Sequence, residues 1–420
     1  MFSNFVIIAE YKFPNKYSIS SLIASLEVDP FFNDVPVKIY RRSISKKDLE
    51  ELFMKYSKII VLFSIMSYQI KDFEKKIKNL REFGNNVILI AGGPHPTARP
   101  EEVLNLGINY VIMGEGENTL ITLLKNLILN NSIDKIYGLS FIKNKILIKN
   151  KPKLGINLNK YPICSNRYKL WNPIEISRGC PFACSFCATS SIFGKNYRFR
   201  DVDNIIKGLR KAIKCGYDKV WFLSSNALAY KSKKIKTPNP DELQKLLNSI
   251  SKLQGIVEIF FGTFPSEIRP DYVNENVIST IREYISNDYF VIGGQHGSNT
   301  MLKKLNRGHN KEDILLCIDI LTNYDIKIHL DLIFGLPNES IEEEEENIEF
   351  MKEICSKGVK IHSHYFMPLP DTRLENSSPR PLSAEMQKII GNLARKGLLY
   401  GQWLKQIEIS NFLSFQADLD

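Results

Sequence analysis

No apolar stretch in these 420 residues approaches the roughly 20 residues needed to cross a bilayer. The longest, such as "KIIVLFSIM" from Lys58 and "NVILIAGG" from Asn86, have the length of strands. The start, "MFSNFVIIAEYKF", lacks the basic residues and small-residue cleavage site of a secretory leader. These absences make a cytoplasmic chain with no membrane partner the expectation. Cysteine is sparse, and four of the seven, Cys164, Cys215, Cys317 and Cys355, stand singly, which argues against a disulfide framework and for a reducing compartment. The one excess is a formal charge of +10. Its lysines are spread over helices instead of forming a block, and no aromatic-basic RNA signature accompanies them, so no nucleic-acid partner is expected.

With 44% hydrophobic and 24% charged residues, the chain has ordinary packed composition and room for two or three domains. In the first part, "NFVIIAEY", "VKIYRRS", "KIIVLFSIMS", "NVILIAGG" and "INYVIMGEGE" read as strands, separated by amphipathic helices such as Asp72 to Phe83. Alternation of this kind predicts an α/β, Rossmann-like parallel sheet over residues 1–138, covered on both faces. Loops at Ser64 to Ser67, Gly92 to Thr97 and Gly114 to Glu117 should meet at one edge, where open sheets bind ligands. Residues 139–170 weaken into a linker or small hairpin.

From residue 171 to 370 the alternation restarts as "PIEISRG", "KVWFLSS", "GIVEIFFGT", "YFVIGGQ", "KIHLDLIFGLP" and "KIHSHYFMPLP". Six strand-helix units in one run predict a partial (β/α)6 TIM-type barrel with its active-site loops at the strands' C-terminal ends. Residues 371–420 read as a helical appendage. The acidic run Glu342 to Glu346 is expected to be a solvated helix face, because Ser340 and Glu343 make a capping box and Ile341, Ile348 and Met351 an apolar stripe. "GEGENT" from Gly114 is not a triphosphate loop, since it lacks the Gly-Lys-Ser/Thr ending.

Chemistry concentrates in "RGCPFACSFCATS", Arg178 to Ser190, where Cys180, Cys184 and Cys187 lie close together without a fourth partner. A structural zinc site closes with four Cys or His ligands, and the nearest histidines in sequence, His95 and His296, are distant. Thiolates also suit iron-sulfur clusters: three hold three irons of a cubane and leave the fourth iron open to a substrate or cofactor. Thiols at this spacing seldom gather for packing alone.

This Cys-x-x-x-Cys-x-x-Cys loop, with Phe186 before its last cysteine, resembles the signature of the radical S-adenosylmethionine (SAM) superfamily. "GGQHGSNTMLKKLNRGHNKED" from Gly293 and "LDLIFGLPNES" from Leu330 are similar to the superfamily's later strand motifs. The resemblance implies a [4Fe-4S] cluster on the three cysteines, with SAM chelating the open iron. Implied SAM contacts are Phe186, Ser224, Ser225, Glu267, Arg269, Gln295, Gly335 and Leu336. An arginine suits the SAM carboxylate as a bidentate partner, and the rival reading of Arg269 is a surface salt bridge.

The amino-terminal part resembles the cobalamin-binding domain fused to many members of this superfamily, most clearly over "GGPHPTARPEEVLNLGINYVIMGEGENT", Gly92 to Thr119. Implied corrin contacts are Tyr11, Ser64, Met66, Ser67, Gly92, Gly93, His95, Gly114, Glu115 and Gly116, with an ordinary polar loop residue as the alternative for His95. The Asp-x-His-x-x-Gly motif that supplies a lower cobalt ligand in many such proteins is absent. Either the domain has lost cobalamin, or it binds the corrin without a lower histidine; glycine-rich loops on the ligand edge favour the second.

The combination is similar to cobalamin-dependent radical SAM methyltransferases. It implies that one SAM methylates cobalamin while a second yields a 5'-deoxyadenosyl radical that takes hydrogen from an unactivated sp3 carbon, which then captures the methyl group from methylcobalamin. A low-potential donor such as ferredoxin would feed the cluster. A methylthiotransferase would need three more cysteines in its first domain, yet only Cys164 precedes the triplet, and a maturase with auxiliary clusters would need a cysteine-rich tail. "IHSHYFMPLPDTRLENSSP" from Ile361 and "GLLYGQWLKQ" from Gly397 are similar to a methanogen-associated subgroup that includes the enzyme methylating the alpha carbon of a glutamine in methyl-coenzyme M reductase. That resemblance implies a protein substrate, with His362, His364 and Tyr365 facing the cavity as substrate-holding or catalytic groups, against the alternative of a satisfied buried histidine pair. Two other functions stay open: action on a lipid or small metabolite, and non-catalytic binding of cobalamin or a redox group.

Overall fold

The apolar runs of the first part become β1 (Phe5–Glu10), β2 (Val37–Tyr40), β3 (Lys58–Ser64), β4 (Val87–Gly92) and β5 (Tyr110–Ile112) in the computed structural model, which describes residues 4–153, 155–171 and 173–417. All five are parallel. Their near-continuous Ile, Val and Leu content fits strands buried on both faces by crossover helices. Ile7, Ile60, Leu62 and Ile90 pack with Leu120, Leu123 and Leu124 of the helix Gly116–Leu129.

The segment expected to be a linker or hairpin forms the hairpin of β6 (Leu139–Lys143) and β7 (Ile146–Lys149), turned by Asn144 and Lys145 at φ 52° and 65°. Two left-handed residues give the tight turn that matches strand twist. β6 pairs antiparallel with β5, so the hairpin completes the sheet order β2-β1-β3-β4-β5-β6-β7.

The chain divides into two compact units, Met1–Asn172 with Ile192–Gly194, and Pro173–Ser191 with Lys195–Asp420. In the second, β8 (Ile174–Glu175) and β9 (Ser177–Arg178) precede the cysteine loop, and β10 (Arg198–Phe199) follows it and pairs antiparallel with β9. β11 (Lys219–Leu223) and β12 (Glu258–Phe260) are parallel to β8, in the order β12-β11-β8. β13 (Tyr289–Gln295), β14 (Lys327–Phe334) and β15 (Lys360–Tyr365) are parallel as well. A parallel bridge between Ile268 and Ile292 ties the chain after β12 to β13, so the two sheets form one curved, partly open wall. The architecture is therefore α/β throughout, a Rossmann-like unit followed by a partial barrel.

Two expectations are corrected. Residues after 371 hold the helices Ala384–Arg395 and Trp403–Ala417, but also β16 (Leu399–Gly401), which pairs parallel with β15 and adds a seventh strand to the wall. Three residues are too few to show the period-2 pattern of a strand. The acidic run is not wholly solvated: Glu343 and Glu344 are buried, Glu343 against Lys304 and Thr300 and Glu344 against Arg380, while Ile341 is 63% exposed. The capping box of Ser340 and Glu343 does form. Ile348 and Met351 of the apolar stripe are buried as expected, while the cationic partners of the two glutamates come from distant segments that no local pattern reveals.

Among the described residues no helix is long and apolar enough to cross a membrane. The leader reading bears in part on residues 1–3, which lie outside those described. At Gly401, φ is 138° and an added Cβ would lie 2.2 Å from the Ser363 carbonyl oxygen. Gly401→Ala should therefore detach β16 and destabilise the barrel by about 2–3 kcal/mol, visible as a lowered Tm; an unchanged Tm would show that β16 contributes nothing to the wall.

Candidate active site

The cysteine loop leaves β9 through Gly179 at φ 90° and turns again at Ala183, a non-glycine residue held at φ 49°. Such a conformation persists only where its surroundings enforce it. Here the enforcement comes from Lys304 to Arg307. Ser185 N–H donates to the Leu305 carbonyl at 2.9 Å, and Ser185 Oγ donates to the Lys304 carbonyl at 3.2 Å. Asn306 Nδ2 donates to the carbonyls of Phe182 and Ala183 at 2.8 and 3.0 Å. Arg307 Nη1 donates to Cys184 Sγ at 3.3 Å.

Burial raises the thiol pKa of Cys180 and Cys187, and the neighbouring sulfurs raise it further, so binding a cationic metal there would release protons. The zinc reading can be tested on the histidines. His296 accepts from Ser298 N–H at Nδ1 and meets Glu339 through Nε2 at 2.8 Å, while His309 donates from Nε2 to the Gly294 carbonyl at 3.1 Å and turns Nδ1 to Arg269. His95 belongs to the first unit. The donor set is thus three soft sulfurs and no imaginable imidazole from these two positions, which fits three irons of a cubane better than tetrahedral zinc.

Around this loop several of the expected SAM contacts converge. A Cβ placed on Gly293 would lie 3.0 Å from Gln295 Nε2, 3.2 Å from Arg307 Nη2 and 3.8 Å from Glu267 Oε2, so the three polar groups share one point near the C-terminal end of β13. Gln295 sits there at φ 77°. Ser225 Oγ donates to the Gly179 carbonyl at 2.7 Å, bringing the end of β11 to the cysteine loop, and Ser224 Oγ shares a 2.6 Å hydrogen bond with Ser266 Oγ. Phe186 and Leu336 meet in one apolar cluster with Met301, Leu305, Ile333 and Phe366. Gly335 turns at φ 69° against the ring of Tyr365.

Arg269 departs from expectation. It is 5% exposed rather than on the surface, its Nε and Nη2 donate to Asp271 at 3.0 and 2.9 Å, and its guanidinium lies 3.4 Å from the ring centroid of Phe182. The bidentate carboxylate it was expected to find is the protein's own Asp271. Arg307 was passed over in the sequence although "LNRGHN" contains it; nothing local distinguishes an arginine aimed at sulfur from one on a helix end.

β15 alternates. His362 and His364 share one face and are 27% and 33% exposed, whereas Tyr365 is buried on the other face and donates from its hydroxyl to the Arg380 carbonyl at 3.0 Å. Tyr365 therefore does not join the histidines, because residues one apart on a strand point oppositely. Asp331 on β14, a residue not singled out from the sequence, does join them: its Oδ1 is 2.8 Å from His362 Nδ1 and 3.7 Å from His364 Nε2. Glu267 lies beside Asp331, and burial together with repulsion from that carboxylate pushes its pKa up to about 8.

In the first unit the expected loops do meet at the strands' C-terminal edge. Ile65 N–H donates to the Gly92 carbonyl, His95 N–H to the Ile65 carbonyl and Gly114 N–H to Thr97 Oγ1. Gly93 has φ 106°, and a Cβ there would lie 2.9 Å from both Ile65 N and O. A cavity of about 460 Å³ opens beside the ends of β1 and β3, lined in part by Glu10, Asn15, Ser64, Gln69 and Lys76. This is where the strand order reverses, the usual ligand crevice of open α/β sheets. Ser64 Oγ is buried there without a hydrogen-bond partner, an orphan that a bound ligand would satisfy. Glass-smooth glycine loops, a crevice and an orphan hydroxyl fit a corrin with its tail. Two candidates are otherwise engaged: Glu115 accepts from the backbone N–H groups of Gly155 and Ile156, and His95 is held between Ser67 Oγ at 3.2 Å and Glu102 at 3.3 Å. Tyr11 lies under Arg41, Met66 precedes the turn Ser67–Gln69, and Gly116 opens its helix against Leu22.

Comparison with known proteins agrees with this geometry. Residues 24–124 match the B12 binding domain and residues 174–351 the Radical SAM superfamily. The chain thus joins a B12 binding domain to a radical SAM domain. It is an enzyme of the cobalamin-dependent radical SAM class, whose cofactors are a [4Fe-4S] cluster, SAM and cobalamin. It is 27% identical to a Methanocaldococcus jannaschii protein provisionally named a methylthiotransferase, over 72% of this chain and 66% of that one. It is 25% identical to an uncharacterized methyltransferase of Pyrococcus horikoshii, over 78% and 71%. The chain spans about two thirds of the length of these relatives. Among solved structures, the radical SAM methyltransferase TsrM from Kitasatospora setae, with cobalamin and a [4Fe-4S] cluster bound, superposes with a TM-score of 0.70 at 15% identity, covering 89% of this chain and 74% of that chain. That likeness is one of fold.

Two tests follow from the site. Arg307→Met removes a cationic N–H donor from Cys184 and should make the cluster's reduction potential more negative in an EPR-monitored titration; an unchanged potential would show that the 3.3 Å contact is lost once the cluster is in place. His309, held down to about pKa 2 by burial and by Arg307 and Arg269, refuses a proton that the unfolded chain takes below about pH 6.5. Its contribution to stability is whole above that pH and lost as pH falls, by about 2 kcal/mol between pH 7.5 and 5. The Tm of His309→Gln should therefore fall less steeply over that range than that of the parent, and parallel profiles would refute the assignment.

Proposed function

We propose that this enzyme is a C-methyltransferase acting on an unactivated sp3 carbon. The observation that carries the reading is a three-cysteine loop, one ligand short of closure, at the mouth of a barrel whose chain also contains a B12 binding domain. When bound, the cluster and SAM supply a hydrogen-abstracting radical and the corrin supplies the methyl group. The chain's own contribution is placement. Cys180, Cys184 and Cys187 hold three irons; Phe186, Ser224, Ser225, Gln295, Gly335 and Leu336, with Glu267 and the newly found Arg307, surround SAM. In the first unit the glycine loops and Ser64 meet the corrin. A low-potential electron donor completes the cycle.

The names of TsrM and of the Pyrococcus relative support methyl transfer. The Methanocaldococcus relative's name points to methylthio transfer, but Cys164 is the sole cysteine before the triplet, too few for a second cluster. For the substrate, the reading is the alpha carbon of a glutamine in methyl-coenzyme M reductase. Its support is the sequence similarity around Ile361 to Pro379 and the polar face of Asp331, His362 and His364, which offers hydrogen bonds to an amide.

The test is anaerobic incubation of the reconstituted protein with cobalamin, reductant, methyl-labelled SAM and a glutamine-containing peptide of that reductase, followed by tandem mass spectrometry. Label on the glutamine alpha carbon, with deoxyadenosine and S-adenosylhomocysteine both formed, is the expected outcome. Deoxyadenosine without peptide methylation would discard this substrate in favour of a lipid or small metabolite. Neither product, despite full cofactor loading, would leave a non-catalytic binding protein.

A further inference from the structure

The polar face of the barrel wall carries more than hydrogen bonds to a substrate. We propose that Asp331, His362 and His364 bind a divalent transition-metal ion, distinct from the cluster iron and the corrin cobalt. Asp331 and His362 are register partners on β14 and β15, and His364 is two residues on, paired with Ile333. One donor atom from each of the three lies within 4.8 Å of the others. An ion about 2.1 Å from each donor in tetrahedral geometry holds them about 3.4 Å apart, and the carboxylate-to-imidazole separations of 2.8 and 3.7 Å bracket that value. Small side-chain rotations close the site without moving either strand.

The surroundings are those of a built site. The Tyr400 ring stacks on His362 at 4.8 Å and 15°, and His362 and His364 meet edge to face at 4.3 Å. The Tyr400 hydroxyl also shares a 2.9 Å hydrogen bond with His329 Nδ1, which fixes the ring that orients His362. Behind the trio, Glu267 lies beside Asp331, in the place of an outer-shell group for a ligating carboxylate. Asp331 is buried while both histidines reach solvent, so an ion would be anchored from within the wall and open to the barrel interior. Two imidazoles and one carboxylate are the donor set of sites that keep positions free for a substrate. The free positions would take an oxygen of the substrate, an amide carbonyl or a carboxylate, and hold it beside the SAM-contacting loops. That role rests on the reaction proposed above; the metal site itself does not.

The test uses cluster- and cobalamin-loaded protein, given one equivalent of Zn²⁺ anaerobically and desalted. Zinc retention is measured by elemental analysis, and its ligands by zinc-edge X-ray absorption, which sees neither iron nor cobalt. Expected are one zinc per chain and a nitrogen and oxygen shell with two imidazoles. Of the six histidines, His296 and His309 are buried in other hydrogen bonds, His95 lies in the first unit and His329 Nδ1 is engaged by the Tyr400 hydroxyl, so a two-imidazole shell that is lost in the variants below identifies the pair on β15. In the variants His362→Ala/His364→Ala and Asp331→Asn, retention should fall at least about tenfold with cluster absorbance unchanged. If the double variant fails to fold, the wild-type shell still decides. No retained zinc, a sulfur-containing shell or equal retention by folded variants would overturn the proposal. Failure of peptide methylation with zinc bound as expected would instead discard the proposed reaction and leave the metal site standing.

Discussion

The chemistry of the barrel depends on five hydrogen bonds by which Lys304 to Arg307 hold the cysteine loop some 120 residues earlier in the chain. A loop at a strand end has little of its own to fix it. Three sulfurs must nevertheless meet three corners of one cubane, within tolerances that a loose loop cannot meet. The partner segment is rigid because it follows the helix Asn299–Lys304, whose Met301 and Leu302 are fully buried. Carbonyls of Phe182 and Ala183, which the left-handed turn at Ala183 strips of local partners, are satisfied by one asparagine side chain. The strain of that turn is thereby offset by hydrogen bonds that also set the orientation of the sulfurs.

Charge is treated in the same way. Arg269 is buried but paired with Asp271; Arg178 is buried and paired with Glu175; Glu339 and Glu344 are buried and face Arg380. An unpaired ion at such depth would be several kcal/mol unfavourable, so these pairs are spoken for and are poor candidates to receive a ligand. What remains open at the barrel mouth is different in kind: the point shared by Gln295, Arg307 and Glu267, and the half-exposed histidines beside Asp331. Pairing thus separates the charges that build the wall from the groups that face a guest.

The two-fold division of the fold, most of its parallel strands and the cysteine triplet were legible because each rests on a local signal: period, length and spacing. β16 escaped since three residues carry no period, and the buried Glu343 and Glu344 escaped since their cations come from elsewhere in the chain. The site was legible in proportion to backbone rather than side chain. Gly93, Gly293 and Gly335 mark close approaches that any glycine at a strand end suggests. The partners of Arg269, Glu115 and Tyr365 depended on tertiary neighbours, and all three turned out to be occupied by the protein itself. Asp331 was hidden in an apolar strand run, where an acid reads as noise until the neighbouring strand places two histidines beside it.

The two units handle their cofactors by opposite means. In the first, Glu115 and His95 are tied to protein partners, and Glu10 is paired with Lys76 inside the crevice. The crevice is lined by polar side chains as well, and Asn15 Oδ1 and the Ser64 hydroxyl are buried there without a hydrogen-bond partner. In the second unit the donors are three thiols, with the Arg307 guanidinium hydrogen-bonded to one of them, a set that suits bonds to a soft metal. The cysteine loop is one thiol short of a closed site and the loop after β1 holds no histidine, so what the sequence withholds shapes each unit as much as what it supplies.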